Sequence, residues 1–195
     1  IQHMIFAIAN LFIQAAVNSF DSTMVSGNAA AANTDTIIYN IMMAFYTACS
    51  TFMGQNWGAG HKKRMMDSYL ISLFYAFAVA AVLGVAFYFA GRPFLYVFTN
   101  SADVVEAGMQ RMKIMCFSYA ISAFMDNTIA ACRGLGRTIV PTVVVIMGSC
   151  VFRVIWVYTI FAHYHTIPSL YLLYAFSWTI TAAAEIVYFL HCFRK

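Results

Sequence analysis

Four ionisable side chains lie deep within long apolar stretches of the sequence. They are Asp35, Asp126, Arg153 and Glu185. A charge at the centre of a membrane-spanning helix costs roughly 2.5–3.5 kcal/mol or more, so such groups need partners or water and usually mark ion or substrate pathways. The three acids are therefore candidates for binding and releasing a coupling ion.

Polar side chains recur at helical spacing around these charges. The first apolar run carries Asn10, Gln14 and Asn18 at positions i, i+4 and i+8, which share one helix face. Serine and threonine in membrane helices often serve only as interhelical hydrogen-bond partners, worth about 0.6 kcal/mol per contact. Each polar stripe therefore either meets a neighbouring helix or lines a wet cavity. The candidates for lining a substrate cavity are Asn10, Gln14, Asn18, Asn33, Tyr39, Ser118, Ser122 and Arg153.

Six apolar runs carry these residues and fill almost the whole chain. Hydrophobic residues make up 63% of the 195 residues and charged residues only 9%, too few charges for a soluble domain. A helix of roughly 20 apolar residues crosses the bilayer core of about 30 Å and satisfies its own backbone hydrogen bonds in lipid. The sequence predicts an all-α integral membrane protein with spans near residues 1–20, 29–53, 66–90, 107–131, 139–162 and 168–191.

Basic residues cluster in the connections that follow the even-numbered runs. By the positive-inside rule these connections are cytoplasmic, so the first run starts in the cytoplasm and the C-terminus returns to it. The net charge of +4 thus orients the protein and indicates no nucleic-acid partner. The cytoplasmic clusters are residues 62–64, Arg133 with Arg137, and Arg194 with Lys195; Arg92, Arg111 and Lys113 are assigned to the opposite side.

Depth along the helices separates the ionisable residues. At 1.5 Å per residue, Asp35 lies about 9 Å and Arg153 about 13 Å from the external end of their runs, so we predict that they pair. Asp126 and Glu185 lie about 8 Å and 9 Å from the cytoplasmic end. Asp126 has no cation at its depth and is the better candidate for a proton carrier. Glu185 has the alternative of an ordinary acid at the membrane interface.

Cysteine and histidine suggest no metal site. The five cysteines have no metal-ligand spacing and no loop-based pattern of pairs, so we expect them to fill the core as small apolar residues. His163 and His165 form an H-x-H pair in the last external connection, but no further ligand lies near them in sequence. We predict neither a metal nor a disulfide framework.

Two cytoplasmic connections carry glycine-rich motifs. The second run ends in residues 54–60, with the sequence GQNWGAG, and the fourth ends in residues 133–138, with the sequence RGLGRT. Glycine and asparagine permit tight turns with positive φ. These glycines are no dinucleotide-binding fingerprint, because no strand precedes them. Pro141 opens the next helix, where proline is well tolerated.

The same segments resemble the multidrug and toxic-compound extrusion (MATE) transporters. Residues 50–60 resemble the turn after the eighth helix of that family, and residues 133–138 the turn after the tenth. Phe152–Trp156 resembles part of the eleventh helix, and residues 13–20 resemble part of the seventh. The likeness runs in order and with the same spacings through essentially all 195 residues.

The resemblance implies that residues 1–195 form the C-terminal six-helix lobe of a twelve-helix transporter. A chain that starts at Ile1 inside a span fits the expectation that an N-terminal lobe is missing here. The implied activity is export of organic, often cationic, compounds in exchange for inward H⁺ or Na⁺ by alternating access. The implied location is the cell membrane, in particular a bacterial inner membrane, with the lipid bilayer, a small organic substrate and the other lobe as partners and no cofactor beyond the coupling ion.

The family's acidic positions carry over unevenly. Asp126, seven residues before Arg133, matches a position that is often acidic in similar transporters, whereas other branches have their carboxylate where this chain has Ser122. Asp35, with Asn33, lies where many relatives carry a polar or acidic pair. Glu185 matches no position associated with the family.

The first run of this chain, which corresponds to the seventh helix of the family, departs more clearly from the family pattern. Some branches carry an acid there, whereas the corresponding run of this chain has only Asn10, Gln14 and Asn18 as its polar stripe. This departure argues against coordination of sodium by this lobe.

Two other functions compete with the antiporter. A lipid-linked oligosaccharide flippase of the same superfamily should place several basic residues on the cleft, and only Arg153 qualifies here. An integral membrane enzyme needs a nucleophile and a base at one depth, whereas Asp126 and Glu185 supply two acids alone. We therefore predict a transporter rather than an enzyme.

Overall fold

Six helices connected by short turns make up the computed structural model, which describes residues 2–194, with side chains from residue 8 onward. The helices are α1 (Gln2–Val17), α2 (Ser22–Gly58), α3 (Lys62–Tyr96), α4 (Ala102–Gly134), α5 (Ile139–Tyr164) and α6 (Ile167–Arg194). The described residues include no strand. The predicted all-α membrane fold with six helices is confirmed; Ile1, at the start of the first predicted span, lies outside the described residues.

Five of the helices, α2 to α6, are long and apolar enough to cross a membrane, and α1 contributes a shorter apolar segment, Ile8–Val17. The helices α2 to α6 run past the predicted apolar runs, most clearly α2, which has 37 residues, whereas α1 ends at Val17, before the predicted end of its run. At 1.5 Å per residue this helix is about 56 Å long, well beyond the bilayer core of roughly 30 Å. Its glycine-rich end, predicted as part of a turn, therefore continues the helix past the core.

The fourth helix is the centre of the bundle. It packs against α2, α3 and α6, and most of its length is buried. Close approach to α2 depends on glycine at both ends of the contact: a Cβ on Gly27 would lie 2.6 Å from the Gly108 nitrogen, and a Cβ on Gly134 would lie 2.5 Å from the Met53 Cβ. Small residues at such contacts let helix backbones pack tightly in lipid.

The turns that follow α2 and α4 share one geometry. Gly60 has φ +71° and Gly136 has φ +73°, the left-handed conformation that glycine adopts without strain. The residue after each glycine, His61 or Arg137, donates its N–H to the carbonyl five residues earlier, at 2.9 Å and 3.0 Å. This is the Schellman motif that satisfies the last carbonyls of a helix, so the predicted positive-φ turns are confirmed.

The fifth helix is irregular. It contains two π-helical segments, Ile146–Val151 and Val157–Phe161, on either side of the α-helical turn Phe152–Trp156. Within the first segment, the backbone of Gly148 lies in close contact with α6. Ser177 Oγ on α6 donates a hydrogen bond to the Gly148 carbonyl at 2.9 Å. A side chain that inserts against a helix backbone is a recognised cause of such irregularity. Arg153 lies on the short turn between the two segments.

Candidate functional site

A polar face lies on the exposed sides of α1 and α2. Asn10, Gln14 and Asn18 are all exposed, and Gln14 donates to Asn18 at 2.9 Å along α1. On α2, Tyr39 is 57% exposed, and the partly exposed Asn33 donates to the Ala30 carbonyl of its own helix at 3.0 Å. These five side chains, here called the polar face, point away from the bundle interior.

Ser118 and Ser122 do not join this face. They are 2% and 7% exposed, and each donates to a carbonyl of its own helix, that of Ile114 at 3.0 Å and that of Tyr119 at 2.8 Å. Both therefore lie inside the bundle, and the structure does not place them on a cavity wall. Helical spacing correctly predicted that the two serines lie on one face of α4, but neighbouring helices cover that face.

The predicted pairing of Asp35 with Arg153 is wrong. Asp35 on α2 forms an ion pair with Arg111 on α4 and accepts a second hydrogen bond from the Tyr119 hydroxyl. The cause is helix packing, because α4 packs along α2 whereas α5 packs on α1 and α6. Counting residues gave Asp35 and Arg153 similar depths along the membrane normal. Their helices, however, do not present the two side chains to each other.

Sequence reasoning missed the role of Arg111, which it assigned only to the external side of the membrane. The side chain is only 5% exposed and donates to the Asn28 carbonyl at 3.0 Å, while its guanidinium lies 5.5 Å from the Tyr171 ring centre. Tyr171 in turn donates to the Asn28 side chain at 2.7 Å. A signal was present: Arg111 lies seven residues before Ser118, on the polar stripe of α4.

Arg153 is also 5% exposed, but it faces α6. Its Nε donates to Ser177 Oγ at 3.2 Å. Its guanidinium carbon lies 4.5 Å from the Tyr174 ring centre and 5.8 Å from that of Trp178. Aromatic rings and a hydroxyl, rather than a carboxylate, thus surround this arginine within the part of the chain that the structure describes.

Asp126 lies in the C-terminal half of α4 and is partly exposed. Among residues 2–194 it has neither an ion pair nor a hydrogen bond. Tyr46 on α2 lies within electrostatic range of it. The Arg133 guanidinium lies 5.8 Å from the same Tyr46 ring. Asp126 is therefore an acid with access to the bundle surface and without a bound counter-charge.

Glu185 on α6 is fully buried, with 0% exposure. Neither of its carboxyl oxygens has a hydrogen-bond partner among the described residues. Arg133 is the cation whose charge acts on it. The alternative of an interface acid therefore does not describe Glu185, which the bundle encloses.

His163 lies in the last turn of α5 and His165 in the connection to α6, and both are exposed. His165 has φ +46° and lies 3.5 Å from Ser19 Oγ through its Nε2. Within the part of the chain that the structure describes, no group of three or more histidine, cysteine, aspartate or glutamate side chains is brought together in a way that could hold a metal ion.

Comparison with known proteins agrees with this architecture. The MatE family model matches residues 1–159. Protein DETOXIFICATION 8 of Arabidopsis thaliana is 26% identical over 98 residues, covering 50% of this chain and 20% of that protein. The probable multidrug resistance protein YpnP of Bacillus subtilis is 29% identical over 119 residues, covering 61% of this chain and 27% of that protein. The chain thus spans about a quarter or less of the length of these relatives.

Solved structures show the same fold. A MOP superfamily transporter from Pyrococcus furiosus superposes with a TM-score of 0.89 at 16% identity, covering 99% of this chain and 44% of that one. The six helices therefore correspond in fold to less than half of that transporter. Because the family model covers most of the sequence and the fold agrees with it, this chain belongs to the MatE family of multi-pass membrane transporters.

Proposed function

We propose that this chain is the C-terminal lobe of a secondary active multidrug antiporter. It exports organic, often cationic, compounds in exchange for an inward coupling ion, with the two lobes rocking about a central cleft. The observation that carries the proposal is Asp126, a partly exposed acid on the central helix of a transporter-family bundle, to which no counter-charge is bound among the side chains of residues 8–194. Intramembrane acids of this kind mark ion pathways in transporters.

The polar face supplies the substrate surface in this proposal. Its asparagine, glutamine and tyrosine side chains are exposed on α1 and α2, where contact with lipid tails would leave hydrogen-bonding groups unsatisfied. A second lobe closing over this face turns it into the wall of a water-filled cleft. Uncharged donors and acceptors there suit a transporter that accepts varied organic compounds.

The coupling ion is H⁺ or Na⁺, and the surroundings of Asp126 favour H⁺. A hard metal cation needs several oxygen ligands at once, whereas one carboxyl group suffices for a proton. Asp35 and Glu185 are weaker candidates for the residue that binds the coupling ion. Asp35 is already neutralised by Arg111, and Glu185 is sealed in the bundle, so either must first be released by a conformational change.

The flippase alternative receives less support. A lipid-linked oligosaccharide carries phosphates, so its cleft should present several free basic groups. Of the two arginines buried at 5% exposure, Arg111 is committed to Asp35, which leaves Arg153 alone. We therefore retain the antiporter as the proposal.

Transport by the full-length protein in proteoliposomes tests this proposal. A fluorescent organic cation such as ethidium should move against its gradient when a pH gradient of the correct sign is imposed, and a protonophore should abolish the movement. A sodium gradient imposed at constant pH identifies the other coupling ion. Movement that needs neither gradient would contradict secondary active antiport.

Orientation is the remaining part of the proposal. The basic connections after α2 and α4 and the C-terminus face the cytoplasm of a bacterial cell, by the positive-inside rule. A reporter that is active only in the cytoplasm should fluoresce when fused after Arg194 and stay dark when inserted between α3 and α4. The reverse pattern would overturn this orientation.

A further inference from the structure

Arg153 is a permanent charge at mid-depth in the bundle. An arginine stays protonated in proteins, and this one is only 5% exposed. It lies 14 residues after Ile139 and 11 residues before Tyr164 in α5, which places it about 21 Å and about 17 Å from the two helix ends. A buried charge at this depth needs compensation.

The two buried arginines differ in how they are compensated. Arg111 has the carboxylate of Asp35, a backbone carbonyl and the Tyr171 ring. Arg153 has one hydroxyl, Ser177 Oγ, and two ring faces. Within the described part of the chain no acid pairs with Arg153, so its compensation is incomplete.

The contacts of Arg153 leave one edge of the guanidinium free. The face of the group lies over Tyr174 and its Nε donates to Ser177. The Ser177 hydroxyl is itself fixed by its bond to the Gly148 carbonyl. Neither Nη atom has a hydrogen-bond partner among the described residues. The edge that recognises oxyanions in a bidentate manner is therefore the edge without a protein partner in this part of the chain.

The backbone around Arg153 has the form found at functional sites. The turn Phe152–Trp156 lies between two π-helical segments, and such segments occur frequently at functional sites because they redirect a side chain within a helix. Gly148, whose carbonyl accepts the hydrogen bond from Ser177 Oγ, lies within the first of these segments. The irregular backbone and the side-chain contacts thus both fix the position of the Arg153 guanidinium.

We propose that Arg153, Tyr174, Trp178 and Ser177 form an anion subsite for the carboxylate or phosphate group of an organic substrate. The planar fork suits such groups, and the neighbouring rings offer stacking surface to an aromatic substrate. The occupant is not a lipid headgroup, because Arg153 lies at mid-depth in the bundle whereas the phosphates of a bilayer lie outside its hydrocarbon core. The subsite rests on the proposed transport function and extends its substrates from cations to zwitterions and organic anions.

Fluorine NMR of the 5-fluorotryptophan-labelled protein in phosphatidylcholine nanodiscs tests the subsite without transport. Three tryptophans report three places: Trp178 beside the guanidinium, Trp156 on the same turn as Arg153, and the exposed Trp57 near the cytoplasmic turn. A Trp178→Phe variant assigns its resonance. Benzoate and inorganic phosphate, added in turn at constant ionic strength, should shift the Trp178 resonance saturably and leave that of Trp57 in place.

Substitutions of Arg153 separate binding from nonspecific effects. Arg153→Gln should abolish the saturable shift, and Arg153→Lys, which keeps the charge but loses the fork, should weaken binding about tenfold. Arg92→Gln, in an exposed ion pair with Glu106, should leave the titration unchanged. If the glutamine variant does not fold, the lysine variant still provides the comparison.

Two results would overturn the subsite. One is a Trp178 resonance that does not respond to either anion, or that responds equally in the Arg153 variants. The other is a response to chloride alone, which would contradict the assignment to an organic anion. Because binding is measured without any gradient, a failure of antiport leaves this result standing, and a failure here leaves antiport untouched.

Discussion

The partly exposed carboxylate of Asp35 on α2 forms an ion pair with the buried guanidinium of Arg111 on α4, the most buried of the five long helices. Tyr119 donates to the same carboxylate. Arg111 also reaches the Asn28 carbonyl, and Asn28 accepts from Tyr171 on α6. Three helices therefore share one polar network.

Removing one partner of this pair should destabilise the bundle. Asp35→Asn leaves the guanidinium of Arg111 buried without its counter-charge, for which breaking a buried pair typically costs about 3–5 kcal/mol. The Asp35 side chain is 33% exposed, so we expect the lower end of that range. Thermal unfolding in detergent should show this loss, and an Asp35→Asn/Arg111→Met double variant should lose less than either single variant.

The exposed pair of Arg92 and Glu106 is the matched control. Its side chains are 62% and 50% exposed at 2.6 Å separation, so Glu106→Gln should change stability by less than about 1 kcal/mol. Equal losses for Asp35→Asn and Glu106→Gln would show that burial gives the inner pair no special importance.

Gly134, at the C-terminal end of α4, should not tolerate substitution. A Cβ at Gly134 would lie 2.5 Å from the Met53 Cβ and 2.7 Å from the Ser50 carbonyl oxygen, so Gly134→Ala should separate α2 from α4 and cost about 1–3 kcal/mol. Gly58 lies in the same region, and a Cβ added there would meet nothing within 4 Å. Gly58→Ala should therefore be neutral, and equal effects of the two changes on thermal unfolding would contradict this account of the α2–α4 contact.

The buried carboxyl of Glu185 should lower the stability of the folded protein. Both of its oxygens lack partners among the described residues at 0% exposure, and an unsatisfied buried polar group costs about 1–3 kcal/mol. Glu185→Met, close in volume and apolar, should raise the unfolding temperature in detergent. Glu185→Gln should not, because its amide is equally unsatisfied. A methionine variant less stable than the native protein would show that the carboxyl makes a stabilising contact.

Composition and run length predicted the fold class because a chain with 63% hydrophobic and 9% charged residues has few other stable arrangements. Local chemistry also predicted the turns at Gly60 and Gly136. The end of α2 was less predictable. Its apolar run stops near residue 53, whereas the helix continues to Gly58 and the positive-φ turn comes only at Gly60.

Pairing between helices could not be predicted from one sequence. Depth follows from counting residues, but the direction in which each helix faces depends on packing. The arginine opposite Asp35 is therefore Arg111 rather than Arg153. The same ambiguity placed Ser118 and Ser122 on a cavity, although neighbouring helices cover them. By contrast, the stripe on α1 lies on an exposed face, as its exposed Asn10, Gln14 and Asn18 show.

Gradient-driven export by an Asp126→Asn variant tests the central claim most directly. The amide keeps the size of the carboxyl but cannot carry a proton, so the full-length variant in proteoliposomes should lose export of an organic cation driven by a pH gradient while its expression stays unchanged. Asp103→Asn, an exposed acid in the first turn of the same helix, should export normally. Unchanged proton-driven export by Asp126→Asn would contradict the claim and remove Asp126 from the mechanism.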